Sequence, residues 1–213
     1  MYLPLLFKDG LSCLLVGGGN VASRKVETLL GMNCSITIVA PDISDLTADA
    51  VQKGSVRWLE RAYLPGDCRG FQLIVAATPL REVNRQVFEE AKELGIPINV
   101  VDDPELSTVI FPAVWREKSL LLAVSTEGIA PFMAAEIRTQ MAHHARGMGR
   151  WVEIAGAFRE IVRREIKDMD ERQRLYKQFV DSGQPTEESI PPSGNARLSD
   201  WLLWLDGIRK LHE

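Results

Sequence analysis

The sequence predicts an α/β fold built on a parallel sheet. Three observations carry that prediction. Short apolar runs alternate with amphipathic helical stretches through roughly the first half of the chain. The first run, "SCLLVGG", is short and apolar, as a buried strand is. A glycine-rich turn, Gly17-Gly18-Gly19-Asn20-Val21-Ala22, leads directly from the first run into the first helix. Alternating strands and helices close into a parallel sheet through right-handed crossovers.

The elements follow in order. "SCLLVGG" reads as a buried strand and "NVASRKVETLLGM" as a helix, with Val21, Ala22, Lys25, Val26, Leu29 and Leu30 at helical spacing. "SITIVAP" is a second strand, stopped by Pro41. "ISDLTADAVQKGS" is helical, and "VRWLERAY" and "FQLIVAAT" are strands. "REVNRQVFEEAKELG" is a helix closed by Gly95, and "PINVVD" is the next strand. Then the pattern changes. "TVIFPAVWREKSLLLAVST" reads as a hairpin joined by "REK". A helix starts near Pro131, and charge-rich helix runs from Arg150 to about Val180. "DSGQPTEESIPPSGNARLSD" has the composition of a flexible linker, and "WLLWLDGIRKLHE" that of a short amphipathic helix. Trp201 and Trp204 share a face with Leu205 and Ile208, so this helix is expected to dock on protein rather than on a membrane.

Composition narrows the function. The chain has 213 residues, 46% hydrophobic and 25% charged, with a net charge of -4. That balance is globular and offers no basic field to nucleic acid. Cys13, Cys34 and Cys68 lie far apart, without a CxxC, which fits a reducing cytoplasm. The N-terminal "MYLPLLFKDG" lacks the marks of a signal peptide, and no run approaches the ~18 apolar residues of a membrane span. A cytoplasmic protein is expected. His143-His144 are adjacent, so they diverge by about 100° on a helix and form no chelate; no metal site is expected.

The glycine turn fits G-x-G-x-x-A in its required setting, after a strand and opening a helix. Gly17 permits the tight turn, Gly19 leaves room for a pyrophosphate, and Ala22 lets the helix pack closely. The helix N-terminus offers free N–H groups to the phosphates. A tight turn with no ligand is the plainer alternative. The second strand ends in Ala40-Pro41, with Asp42 just beyond, where an acid usually holds the ribose. No Arg or Lys follows to receive a 2′-phosphate, which favours NAD over NADP. Thr78 and Asp102 follow later strands, so both belong at the carboxyl edge of the sheet, where ligands bind. Asp102 could take a proton there, or serve only as a loop or N-cap carboxylate.

Four stretches in this order carry a resemblance: "LPLLFKDGLSCLLVGGGNVASRK", "LIVAATPLREVN", "NVVDDPELSTVIFPAVW" and "LLLAVSTEGIAPFMAAEIR". Together they resemble the siroheme synthase N-terminal module, the precorrin-2 dehydrogenase and sirohydrochlorin ferrochelatase family. The resemblance implies NAD-dependent oxidation of precorrin-2 to sirohydrochlorin, followed in many members by ferrous iron insertion. It implies a homodimer. It implies a Rossmann-type NAD domain over 1–112, a dimerisation region with the hairpin over 113–148 and a helical domain over 149–180, to which composition adds a linker and short helix over 181–213. By the same resemblance, the aspartate needed for both chemistries falls on Asp102. The NAD contacts fall on Asn20, Val21, Pro41 and Asp42, beside Gly17, Gly19 and Thr78. The family's S-S-x-G-x-S-P segment falls on "STEGIAP", which places substrate contacts at Ser125, Thr126 and Gly128. It departs from the family at Thr126 and Ala130, where serines are usual. The acidic macrocycle rim would be met by Arg138, with Arg159, Arg163 and Arg164 as further candidates. Solvated helix face is the plainer reading of those three. Members fused to a uroporphyrinogen methyltransferase run longer, so methylation is expected of another protein. The rival readings are a dehydrogenase without chelatase activity and a nucleotide-sensing module without catalysis.

Overall fold

The structure is a computed structural model and describes residues 10–32, 34–186 and 189–212. The "LPLLFKD" part of the resemblance lies outside the described residues. The chain divides into two compact units, 1–111 and 112–213.

In the first unit five parallel strands form one sheet: β1 (Ser12–Val16), β2 (Ser35–Ala40), β3 (Val56–Glu60), β4 (Leu73–Ala76) and β5 (Ile98–Val100). Their order is β3-β2-β1-β4-β5. The order reverses between β1 and β4, and ligands bind at the carboxyl end of such a switch point. Helix α1 (Asn20–Leu30) follows β1, α2 (Asp45–Gln52) follows β2, and α3 (Arg81–Glu93) follows β4. One apolar layer joins Ala22, Val26 and Leu29 of α1 to Leu15, Ile38 and Val75 of the sheet. On the opposite face Val87 and Ala91 of α3 pack on Leu14, Val16 and Ile98. Burial on both faces explains why the central strands β1 and β4 show no polar alternation, while the edge strand β3 leaves Arg57 and Glu60 exposed.

The Rossmann-type sheet predicted from sequence is therefore present. One stretch differs from its expected role. "TVIF" does not open the hairpin. The Thr108 and Val109 N–H groups both donate to the Ile98 carbonyl, at 2.8 and 3.1 Å, so this stretch is held along β5.

In the second unit the hairpin is β6 (Ala113–Glu117) and β7 (Leu120–Val124), turned by Lys118-Ser119 alone. Lys118 adopts φ 50° to make the two-residue turn. Helix α4 (Pro131–Ala145) begins with proline in the first turn, where its missing N–H costs nothing. Then come α5 (Met148–Glu165), α6 (Met169–Asp181) and α7 (Leu198–His212). Phe158 stacks on Phe179 at 5.1 Å and meets Trp201 at 5.7 Å. Trp201, Leu205 and Ile208 are buried, so α7 docks on its own unit. The linker-like segment before it is tied to helices. Arg150 donates to the Thr186 and Ser189 carbonyls, and Arg164 to those of Gly194 and Ala196.

Candidate active site at the carboxyl edge of the sheet

The glycine turn is wedged between the ends of two strands. Gly17 is buried, has φ 119°, and donates its N–H to the Val39 carbonyl at 3.0 Å. A Cβ on Gly17 would strike the backbone of Ala77 and crowd the Thr78 nitrogen. A Cβ on Gly18 would sit on the Asp42 carbonyl oxygen, and the Gly18 carbonyl accepts the Ser44 N–H at 3.0 Å. Sequence reasoning gave Gly18 no task. Here it is the residue that lets the β2 end close on the turn. Gly19 differs from both, because a Cβ there meets nothing within 4 Å.

Gly19 is also the N-cap of α1 and supplies no side chain to cap it. The first-turn N–H groups of α1 thus receive no side-chain cap from Gly19, and the helix's partial positive charge lies behind them. This combination fits a dinucleotide pyrophosphate. Asn20, Val21, Pro41 and Asp42 are all exposed around it. Behind the turn, Ser23, Ser44 and Thr47 share hydroxyl contacts. Ser23 Oγ lies 2.5 Å from Ser44 Oγ and 3.1 Å from Thr47 Oγ1.

On the other side of the switch point, Thr78 is latched to Asn84. The Thr78 N–H and hydroxyl both donate to Asn84 Oδ1, at 3.2 and 2.7 Å, and Asn84 Nδ2 returns a bond to the Thr78 carbonyl at 3.0 Å. Thr78 is therefore placed by side-chain bonding as well as by the sheet.

Asp102 stands two residues beyond β5, exposed, with φ 58°. A non-glycine residue in the left-handed region is uncommon and is a mark of function when it sits at a site. Asp102 lines an open cleft of about 550 Å³, together with Pro79, Arg81, Asn84, Val101 and Glu105 among others. Asp103 lines the same cleft rather than turning elsewhere, and Arg81 holds it at 3.3 Å. Lys25 is a residue that sequence analysis placed only in an apolar stripe. Its ammonium lies 4.3 Å from the centre of the Phe111 ring, a cation–π contact. Burial pushes the Lys25 pKa down, and the Asp102 charge opposes that shift. A lysine pointed into helix packing, with a carboxylate acting on it, gave no pattern in the sequence.

The remaining predicted residues belong to the second unit. The Ser125 hydroxyl accepts the Glu127 N–H, and the Thr126 hydroxyl accepts the Ala130 N–H, both at 3.1 Å. Gly128 takes φ 81°, as the turn into α4 requires. Arg138 is half-buried, and its Nε is buried without a hydrogen-bond partner. Such a donor is costly unless something polar meets it. Arg164 is occupied by the carbonyls described above. Arg159 and Arg163 sit near Glu160 at 3.4 and 3.8 Å on an exposed face. Among the described residues, no group of three or more His, Cys, Asp and Glu could hold a metal ion, and no helix is long and apolar enough to cross a membrane.

Residues 6–113 match the putative NAD(P)-binding family, and residues 147–187 match the sirohaem synthase dimerisation region. Siroheme synthase 3 of Aeromonas hydrophila subsp. hydrophila is 37% identical over 207 residues, 95% of this chain and 44% of that protein. The siroheme synthase of Methylobacillus flagellatus is 36% identical over 212 residues, 99% of this chain and 45% of its own length. The chain thus spans a little under half the length of these curated relatives. A solved structure described as SirC, precorrin-2 dehydrogenase, shares the fold with a TM-score of 0.69 at 24% identity, over 99% of this chain and 100% of that one. The chain therefore belongs to the putative NAD(P)-binding family and is a homologue of the siroheme synthases, matching a segment of them.

Proposed function

We propose that this chain is a cytoplasmic, NAD-dependent precorrin-2 dehydrogenase that also inserts ferrous iron into the sirohydrochlorin it forms. The observation that carries the reading is the arrangement of the sheet edge. An uncapped helix N-terminus at an open glycine and an exposed carboxylate in an unusual backbone conformation sit at the carboxyl ends of β1 and β5.

The reaction removes a hydride and a proton from a reduced tetrapyrrole. NAD, when bound, supplies the hydride acceptor. Gly17 would shape the turn, Gly19, Asn20 and Val21 would hold its pyrophosphate, Pro41 and Asp42 its adenosine ribose, and Thr78 the inner side of the crevice. The Asp42 carboxylate repels a 2′-phosphate, which supports NAD over NADP. The Asp102 carboxylate takes the proton, and oxidation extends macrocycle conjugation, so the step runs downhill. The residues mainly orient the ring and fix its acidic rim. Ser125, Thr126, Gly128 and Arg138 are assigned to that rim. The unpartnered Nε of Arg138 supports a carboxylate as its partner.

Iron insertion releases two pyrrole protons, and Asp102, once it has passed the proton of the oxidation to solvent, accepts them one at a time and passes each to solvent in turn. Iron is a substrate here and requires no resident chelate. The exposed Phe132, Met133, Ile137 and Met141 on α4 support a homodimer, since an apolar face of this kind favours a partner.

The test is anaerobic. Precorrin-2 is generated in situ, and protein and NAD are added while the absorbance spectrum is recorded. Ferrous iron follows. A sirohydrochlorin spectrum that requires NAD is expected, then siroheme formation faster than a protein-free control. No spectral change with folded protein would overturn the dehydrogenase reading. An iron rate equal to the control would overturn the chelatase alone.

A further inference from the structure

The Asp102 turn is held by a side chain that no family assignment above includes. Ser107 Oγ accepts the Val100 N–H at 2.9 Å and lies 3.0 Å from the Asp103 carbonyl and 3.1 Å from the Val100 carbonyl, to which its proton can be donated. The hydroxyl therefore closes the loop from the last residue of β5 to the residue after Asp102. Backbone bonds finish the enclosure. The Asp103 N–H donates to the Val100 carbonyl at 3.3 Å. A short 3-10 helix, Pro104–Leu106, carries the chain from Asp103 to Ser107. Next door, Thr108 Oγ1 accepts the Ile98 N–H at 2.9 Å, and Asn99 Nδ2 donates to the Val109 carbonyl at 3.0 Å, which fixes the returning segment along β5.

Asp102 itself has φ 58°, an unfavourable conformation for a residue with a Cβ, which its surroundings must hold. The Ser107 bonds on either side of it are those surroundings. We infer that Ser107 is the positioning residue for Asp102: its hydroxyl, spanning Val100 and Asp103, holds Asp102 in the left-handed conformation that presents its carboxylate to the cleft. Ser107 touches neither substrate nor cofactor in this role. The inference rests on the proposed function for its catalytic consequence and on geometry alone for its structural one.

The experiment has two arms on the full chain. In the first, backbone chemical shifts of Asp102 are read by NMR in isotopically labelled wild type and Ser107→Ala. Wild type is expected to show left-handed shifts at Asp102, and Ser107→Ala to lose them. In the second, precorrin-2 turnover is measured. Ser107→Ala is expected to lower kcat by roughly tenfold to 100-fold with KM for NAD unchanged. Ser107→Thr, which keeps the hydroxyl, should recover most of the rate. Ser107→Cys keeps the volume and weakens both bonds, and it gives a graded loss should alanine unfold the segment. Left-handed shifts that persist in Ser107→Ala overturn the inference whether or not the protein turns over precorrin-2. So does an unchanged kcat in an active enzyme. A wild type without turnover fails the proposed function only, and the NMR arm still decides the role of Ser107.

Discussion

The glycine turn after β1 and the acid turn after β5 lie on the same edge of one sheet, and they solve opposite problems. The glycine turn works by omission. Gly17 and Gly18 lack a Cβ where the backbones of Ala77 and Asp42 press in, and Gly19 lacks one where space must stay open. The acid turn works by addition. Asp102 keeps its side chain and its unfavourable φ, and Ser107 supplies the hydrogen bonds that hold it. One turn leaves room for the phosphates of the proposed cofactor, and the other offers the carboxylate proposed as its base. A change that adds atoms should harm the first, and a change that removes polar atoms should harm the second.

The largest expected effect comes from the acid. Asp102→Asn keeps size and can keep the backbone conformation, since Asn tolerates the left-handed region. It should lower turnover by about 10²- to 10⁴-fold, the usual worth of a positioned base. NAD affinity and thermal stability should stay near wild type. Loss of NAD binding in this variant would move Asp102 from proton transfer to cofactor contact and erase the contrast between the two turns.

Next are the glycines, which separate from one another. Gly18→Ala drives a methyl into the Asp42 backbone and should cost about 3 kcal/mol of stability. The Cβ that Gly19→Asp adds meets no protein atom within 4 Å, so the fold should survive, while the bulk and charge of the side chain should weaken NAD binding by more than about tenfold. Urea unfolding and calorimetric NAD titration distinguish the two. A stable Gly18→Ala with normal NAD affinity would show that the β2 end can retreat from the turn.

The same contrast explains what could be read in the sequence. The five-stranded sheet was legible because buried parallel strands and amphipathic helices leave strong periodic marks, from "CLLV" to "PINVV". The glycine turn was legible because glycine at a strand-to-helix junction is a mark in itself. Asp102 was placed by its strand, but its φ and its cleft were not legible, because the turn is closed by Ser107, seven residues past Val100, an ordinary serine in a loop, and the far wall of the cleft comes from Pro79, Arg81 and Asn84. Gly18 was overlooked because the motif leaves its position free, while the clash that requires glycine comes from Asp42, two dozen residues away. Lys25 was hidden for a similar reason: its ammonium packs on Phe111, from a segment whose path along β5 rests on tertiary hydrogen bonds. "TVIF" misled because β-branched and aromatic residues suit any extended segment, whether or not it pairs in a hairpin.

The smallest expected effect tests whether Asp102 is special among loop carboxylates of the same unit. Asp67 is the comparison. Arg61 donates to both of its oxygens at 2.7 Å, and the Leu64 N–H donates at 2.9 Å. The Arg61 hydrogen bonds hold the Asp67 carboxyl below its usual range, against the effect of burial. A carboxylate with a lowered folded pKa stabilises the fold above its unfolded pKa of about 4, and that contribution fades as pH falls through the folded value. Asp67→Asn should therefore lower stability at pH 7 by about 1 kcal/mol or less, because solvent screens the partly exposed Arg61. The difference from wild type should vanish in acid. Its turnover should match wild type. Asp102→Asn should show the reverse, with turnover lost and stability kept. Urea titrations at pH 7 and at low pH, run beside the turnover assay, read both. A carboxylate whose bonds are all met within the loop serves the fold, and one left open at a sheet edge by a neighbouring serine is available for chemistry. Equal losses of activity in the two variants would break that distinction.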